Sequence, residues 1–388
     1  MLSFSVVGCG AAGNKAVIDL MNIGYNPAKC YLLNTTLKDV PSEYHEKVTI
    51  FGKSTNRLGG CGKERSIGKD MLMSDLKSNA IDIDSIVDHD DQAIVLVSST
   101  EGGSGSSAVP ILAKYFKKVH NMNVICVFFF GFNDDVRGMK NSIELCKELS
   151  EEYTVVGISN SKFLTGTNKF NAERSANELF CNTIKILSGA IIQPGTQMMD
   201  DTDLYKVVTT PGYLIANTWD FQRPKTLEAY HKDFTNFLNS QGFVDPSKNP
   251  GAKRIAMIFN TPEDENIDYT AQDLRALYGE PFEYFTHLSD DCDGYSVSFI
   301  VSGMKLPAEE INSIYEEYME RTVKVSKDRD SFFDMIGGME SSEDERGFDM
   351  LTPSNQKTVQ AAKQDFFAEL RDPEKKEASP DGNKPFEY

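Results

Sequence analysis

Thr100-Glu101-Gly102-Gly103-Ser104-Gly105-Ser106-Ser107 follows closely on the apolar run Ala93–Val97. A β-branched strand that empties into glycines and hydroxyl residues exposes backbone N–H groups at the start of the next helix. Those donors, with the positive end of the helix dipole, form a site for polyphosphate. Glycine lets the backbone approach the anion, and Ser104 and Ser106 add hydroxyl donors. Taken alone, a Gly/Ser run also reads as a plain turn.

A second glycine loop sits near the N-terminus. Ser3–Val7 reads as a short buried strand, followed by Gly8-Cys9-Gly10-Ala11-Ala12-Gly13-Asn14-Lys15 and the helical Ala16–Met21. Strand, G-x-G-x-x-G and helix is the fingerprint of dinucleotide-binding doubly wound folds. The loop is also a near miss for a Walker A motif, with Asn14-Lys15 where Lys and then Ser/Thr is required, so no Walker lysine serves a terminal phosphate. A third cluster, Leu58-Gly59-Gly60-Cys61-Gly62, precedes a helix around Ser66–Leu76. Three such loops at the carboxyl ends of strands favour one triphosphate at the top of a parallel sheet. The alternative, a dinucleotide-dependent oxidoreductase, needs the first loop alone. It is weakened because the second strand ends in Asn34-Thr35-Thr36, with no carboxylate for a ribose 2′-hydroxyl.

The order of these motifs resembles the tubulin/FtsZ superfamily of polymerising GTPases. The family's phosphate loop, G-G-G-T-G-[ST]-G, is similar to Glu101–Ser107, and its first loop to Gly8–Asn14. Asn34-Thr35 after the second strand and Ile158-Ser159-Asn160 after the sixth fall in the same order. Ser175-Ala176-Asn177-Glu178-Leu179 lies where the family carries its guanine-contacting side chain. The resemblance covers about residues 1–325, the second half by pattern more than by motif. It implies a GTP/GDP site over Gly10, Ala11, Ala12, Gly13 and Asn14, with Asn34, Gly59, Gly60, Thr100, Gly102, Gly103, Ser104, Gly105 and Ser106 around the phosphates. Asn160 and Asn177 would lie near the base, and Mg²⁺ would accompany the nucleotide.

Met198-Met199-Asp200-Asp201-Thr202-Asp203-Leu204 stands where the family has an N-x-D-x-x-[DE] loop that reaches the nucleotide of the next subunit. Hydrolysis needs a carboxylate that orients water in line with the γ-phosphate. The resemblance implies Asp200 and Asp203 for that role, with Asp201 the alternative if the register slips by one. The bland reading is a solvated acidic turn capping a helix.

Departures from the pattern separate this chain from an orthodox cell-division FtsZ. Glu101 replaces the first glycine of the phosphate loop, Ser107 the last, and Met198 an asparagine. The usual P-F-x-x-E-G segment has become Phe130-Gly131-Phe132-Asn133-Asp134-Asp135-Val136-Arg137, which leaves Asp134 as the ribose-contacting carboxylate. These features resemble the TubZ-type proteins of plasmids and phages, whose filaments segregate DNA. An FtsZ-like or phage-positioning filament protein is the alternative. A third reading is a structural protein that keeps the fold without hydrolysis, which Glu101 and Met198 would permit.

The chain has 388 residues, enough for two cores, and a formal net charge of −18. Neutralising DNA phosphates needs a basic face, so direct nucleic-acid binding is unfavourable and a separate basic adaptor is expected, reached through the C-terminal region. Self-repulsion makes assembly dependent on Mg²⁺ and salt. No apolar run is long enough for a membrane span and no signal peptide is evident, which implies a cytoplasmic protein. The 7 cysteines form no C-x-x-C pair, and the 5 histidines show no ligand spacing. Cys9 and Cys61 lie in glycine loops and read as small space-fillers. Ser289–Gly294 resembles a calcium loop, but Ile300 occupies the position of the bidentate glutamate, so it reads as a turn.

Strands near 3–8, 29–34, 48–51, 93–98, 123–130 and 153–158 alternate with helices, which predicts an α/β Rossmann-like parallel-sheet GTPase domain over 1–170. Asn171–Ile192 predicts one long central helix (171–194 with its stop signals Gly189 and Pro194), joined to a smaller α+β domain over 195–336 with the acidic loop at its start. Strands at Arg254–Asn260, Phe282–Thr286 and Tyr295–Val301 and helices at Ala271–Tyr278 and Ala308–Val323 are expected there. Residues 337–388 read as a polar linker, a short amphipathic helix at Gln356–Leu370 and a disordered tail. The helix would dock on a neighbouring subunit or a partner, or pack back on its own domain.

Overall fold

Val124–Phe130 is apolar at every position, and every residue of it is buried, as befits a strand at the centre of a sheet covered on both faces. A computed structural model describes residues 1–53, 60–88, 90–149, 152–197, 199–222, 226–260, 267–289 and 295–336. Gly59, Met198, the loop 290–294 and the C-terminal stretch 337–388 lie outside the described residues.

The strands are β1 (Phe4–Cys9), β2 (Cys30–Asn34), β3 (Val48–Ile50), β4 (Ala93–Ser99), β5 (Val124–Phe130), β6 (Thr154–Ser159), β7 (Gly195–Gln197), β8 (Gly212–Asp220), β9 (Arg254–Asn260), β10 (Glu283–Ser289) and β11 (Ser296–Met304). They form one 11-stranded sheet in the order β3-β2-β1-β4-β5-β6-β8-β11-β9-β10-β7. From β3 to β6 every pairing is parallel. The short parallel bridge from β6 to β8 joins this half to the other, where β11 runs antiparallel to both β8 and β9. The helices are α1 (Gly10–Asn22), α2 (Arg65–Ser78), α3 (Ser104–His120), α4 (Val136–Glu148), α5 (Lys169–Leu187), α6 (Asp201–Val208), α7 (Leu227–Asn239), α8 (Ile267–Tyr278) and α9 (Ala308–Ile336).

The long helix α5 stops at Leu187, short of the expected Ile192. Gly189 is the reason: it takes a left-handed φ of +75°, open to a residue without a Cβ, and turns the chain out. Helix α9 runs to Ile336, beyond the expected Val323. Strands β7 and β8 and helices α6 and α7 were not among the expected elements. Among the described residues no helix is long and apolar enough to cross a membrane.

One device holds the helices around the glycine loops. Pro110 lies inside α3 and has no N–H for the carbonyl of Ser106, four residues back. The buried Arg65, at the start of α2, donates to that carbonyl at 3.0 Å and pairs with Glu148 of α4 at 2.9 Å. In the other half, Trp219 of β8 stacks on Phe221 at 4.3 Å and meets Phe234 of α7 at 5.0 Å, an aromatic core beneath the antiparallel strands.

Candidate functional site

The glycine loops converge because only glycine allows their backbones to touch. A Cβ on Gly13 would lie 2.1 Å from the Val97 carbonyl oxygen, and one on Gly105 would lie 2.2 Å from that of Cys9. Gly10, at φ +74°, would meet the Gly105 nitrogen at 2.8 Å. The third cluster packs on the second, since a Cβ on Gly103 would be 2.7 Å from the Cys61 sulfur and 2.8 Å from Lys63 Cα. The three loops therefore interlock at the carboxyl ends of β1 and β4, with the N-termini of α1 and α3 opening on the same side.

A cleft of about 730 Å³ runs outward from this point along α1. Ala11, Ala12, Lys15, Asp19 and Asn22 line it from α1, Glu173 and Asn177 from α5, and Glu101, Gly131, Phe132 and Asn160 from the loops after β4, β5 and β6. Of the residues expected at a nucleotide, Ala11, Ala12, Asn160 and Asn177 thus share the cleft wall. Gly10, Gly13 and Gly105 form the packed backbone behind it. Gly103 is the N-cap of α3, Gly102 has open space around it, and Gly60 donates to the Thr35 carbonyl at 3.3 Å.

Buried polar atoms without partners cluster here. Both amide atoms of Asn14, the Asn34 nitrogen and the Asn160 oxygen are buried with no hydrogen bond among the described residues. Such groups are costly unless something pairs with them, so the residues present suit a polar ligand. Ser104 Oγ lies 2.8 Å from Thr35 Oγ1 and 3.2 Å from Cys61 Sγ, tying together the loops after β2, β3 and β4.

Other expected contacts are spent elsewhere. Ser142 Oγ donates to the fully buried Thr100 hydroxyl at 2.8 Å. Ser106 is buried and its hydroxyl bonds back to the Gly102 carbonyl, closing the first turn of α3. Asp134 is paired with Lys169 at 2.5 Å, is more than half exposed and does not line the cleft. The carboxylate that does reach it from this side is Glu101. Asn133, in the left-handed region at φ +55°, donates its N–H to Glu101 Oε1 at 2.8 Å. A Cβ on Gly131 would lie 2.1 Å from the Glu101 carboxyl carbon, so glycine after β5 makes room for this glutamate. Burial pushes the Glu101 carboxyl above its ordinary range, against the opposing pull of the Asn133 N–H and Lys63. Burial also pushes the Cys9 thiol up to about 12 and raises Cys61, as fits packed space-fillers.

Asp200 and Asp203 are far from the cleft in the same chain. Asp200 is the N-cap of α6, accepting the Asp203 N–H at 2.8 Å. Helix α6 lies across the amino ends of the strands: the Met1 ammonium reaches Asp201 at 2.6 Å before β1, Asn123 donates to the Tyr205 hydroxyl at 2.8 Å before β5, and Thr154 at the start of β6 donates to the Val208 carbonyl at 3.3 Å. The cleft opens at the carboxyl ends, about 20 Å away along a strand such as β1.

Residues 3–168 match the family described as Tubulin/FtsZ family, GTPase domain. Over those residues the chain is similar to a tubulin/FtsZ GTPase domain. It is 28% identical over 213 residues to cell division protein FtsZ 1 of Methanocaldococcus jannaschii, covering 54% of this chain and 57% of that one. Against FtsZ 1 of Pyrococcus abyssi the figures are 28% over 212 residues, 53% and 55%. The match thus spans just over half the length of these curated relatives. In structure the chain is similar to a GTPγS-bound CetZ2 protofilament from Haloferax volcanii, with TM-score 0.68 and 16% identity over 84% of this chain and all of the other. It is likewise similar to a GTPγS-form protofilament of Bacillus thuringiensis serovar israelensis TubZ, with TM-score 0.66 and 15% identity over 87% of this chain and 95% of that one. At those identities the likeness shows the shared fold, which extends beyond the GTPase domain.

Asp19 and Glu101 line the cleft but were not among the residues expected at a nucleotide. Ala12, Lys15, Asp19 and Asn22 recur at helical spacing along α1, a signal for one exposed stripe. Glu101 stood out as a departure in the phosphate loop, but its partner Gly131 becomes apparent only in three dimensions.

Proposed function

We propose that this protein is a cytoplasmic GTPase that assembles head to tail into filaments, with Asp200 and Asp203 of one subunit completing the GTP cleft of the next. The observation that carries this reading is the separation of cleft and acidic turn to opposite ends of the same strands. One chain cannot bring them together, whereas translation of a second copy along the strand direction can. The carboxylates would orient water toward the γ-phosphate, while the backbone N–H groups of the glycine loops hold the phosphates. Mg²⁺ would enter with the nucleotide, because five carboxylates, Asp19, Asp39, Glu43, Glu101 and Glu173, line the cleft beside Lys15.

The finer role is filament-based DNA segregation of the TubZ kind. It is supported by the departures at Glu101 and Gly131 and by the net charge of −18, which calls for a basic DNA-binding adaptor acting through the C-terminal region. A division-type role is the second reading, favoured by the FtsZ proteins among its sequence relatives.

The test is GTP turnover per subunit against protein concentration, with light scattering, for the wild type and two complementary variants. Asp203→Asn removes an acidic-turn charge, and Ala12→Glu places a negative charge in the cleft wall. Each alone should lose roughly a hundredfold in turnover, and mixing them should restore part of it, because one supplies an intact cleft and the other an intact turn. Asp200→Asn retains the helix cap and separates the catalytic part of Asp200 from its structural part. Turnover independent of concentration, with no recovery on mixing, would sink the reading.

A further inference from the structure

Asp19 and Asn177 meet across the cleft, on α1 and α5. Asn177 Nδ2 donates to Asp19 Oδ2 at 2.7 Å, and since a carboxylate only accepts, this contact fixes which end of the amide faces it. The Asn177 oxygen is then turned away from Asp19, and Asp19 Oδ1 has no hydrogen bond among the described residues. The nearby Asn160 oxygen is buried and also unpartnered. Lys15, the cation on the same stripe of α1, is held by Glu173 at 3.3 Å and lies over the Phe170 ring at 5.1 Å. This end of the cleft is therefore rich in acceptors. It lies on the order of 13 Å along α1 from Gly10, where the interlocked glycine loops offer N–H groups to phosphates. A sugar with its phosphates bridges such a gap.

We propose that Asp19 is the residue that selects the base, its carboxylate accepting the two adjacent donors on guanine, N1–H and the 2-amino group. The inference deepens the nucleotide reading above and rests on it. Each Asp19 oxygen has lone pairs to spare, including the one that Asn177 already uses. Adenine presents one donor and one acceptor at the same edge, so one of its atoms would face the carboxylate lone pair to lone pair. Xanthine replaces the 2-amino group by a carbonyl and meets the same repulsion. A site built to accept from both donors rejects analogues lacking one of them, because its own polar groups are then unpaired. Asn177 positions the carboxylate.

The experiment is competition binding of GDP, XDP and ADP, with Mg²⁺ present, to full-length wild type, Asp19→Asn and Asn177→Ala, with thermal melts of each protein. Wild type should favour GDP over XDP by on the order of a hundredfold or more. Asp19→Asn supplies a donor beside the remaining acceptor, so it should lose GDP affinity while gaining XDP affinity, collapsing the ratio by a comparable factor. Asn177→Ala retains the carboxylate and should keep the preference for GDP at lower overall affinity. If Asp19→Asn weakens all three nucleotides equally or leaves the ratio unchanged, Asp19 is structural and the proposal is overturned. If wild type binds GDP and XDP alike, it is overturned without the variants. If wild type binds none of the three, the nucleotide reading falls first and this inference with it.

Discussion

The two halves of the sheet are built on different principles. From β3 to β6 the strands are parallel, their loops all leave at one end, and the decisive contacts are between backbones: Gly13 on Val97, Gly105 on Cys9. From β8 to β7 the sheet is mixed, and its centre is an aromatic cluster around Trp219, Phe234 and Phe299. The first half encodes its chemistry in the absence of side chains and the second encodes its stability in their size. The same molecule thus has one region where a single added methyl would strike backbone and another where a removed ring would open the core.

The sharpest way to break that contrast is to make one change in each half. Phe234 is fully buried and shared between Trp219 and Phe299, so Phe234→Ala should cost roughly 3–5 kcal/mol. That lowers the melting temperature by on the order of 10 °C while GDP affinity stays nearly constant. Gly13→Ala puts a Cβ against a strand backbone that cannot yield as a side chain would, at or above the roughly 1–3 kcal/mol typical of overpacking, and it should abolish GDP binding. Melting curves and GDP titrations of the two variants decide the matter. Equal loss of GDP affinity in Phe234→Ala and Gly13→Ala would show that the halves are not separable.

This contrast explains what was legible in the sequence. A glycine demanded by backbone contact has no substitute, so the loops at Gly8–Gly13 and Gly102–Gly105 announced themselves. Arg254–Asn260 was read with its final bounds because its apolar run is bracketed by polar residues. Strand β8 passed unread: Gly212–Asp220 keeps no period-two alternation, and its place beside β6 and β11 is a tertiary fact. The acidic turn was read by type, but that Asp200 caps α6 across the amino ends of the strands came from contacts with Asn123 and Thr154 far away in sequence. The resemblance pointed to Asp134 as the ribose carboxylate and to Glu101 only as a departure in the loop; Lys169 pairs with Asp134 away from the cleft, and the Asn133 N–H bonds to Glu101, which lines it.

The cleft also breaks the expectation that a phosphate site is basic. Asp19, Asp39, Glu43, Glu101 and Glu173 outnumber Lys15 along its walls, so a bare nucleotide meets a repelling field. Chelating Mg²⁺ with EDTA should therefore weaken GTP binding by on the order of tenfold or more, and GDP binding, with less phosphate charge, by a smaller factor. Fluorescent-nucleotide titrations with and without EDTA check this. Equal affinity in both conditions would mean that the backbone N–H groups at α1 and α3 hold the phosphates unaided.

The smallest expected effect concerns Glu101, where the two halves touch. Its neighbour Asn133 donates an N–H to Glu101 and accepts from Arg321 of α9 at 2.8 Å, so one residue joins the cleft to the C-terminal helix. Burial raises the Glu101 carboxyl above its ordinary 4.5, with Asp134 and Asp135 adding to the rise and Lys63 opposing it. The folded chain therefore holds this proton more tightly than the unfolded one. Its stabilising share is complete below the unfolded value, where both states are protonated, and is lost as pH rises through the folded value. Glu101→Gln, neutral at every pH, should match wild type in stability near about pH 4 and exceed it slightly at neutral pH, as urea melts at the two pH values would show. With Mg²⁺ present, the same variant tests what the carboxylate does in the cleft. A modest gain in GDP affinity means that Glu101 only repels the phosphates, and its loss of charge eases their entry. A fall in affinity that disappears when Mg²⁺ is chelated means that the carboxylate helps hold the cation, and the glutamate in the phosphate loop is then the second half of the site's charge balance.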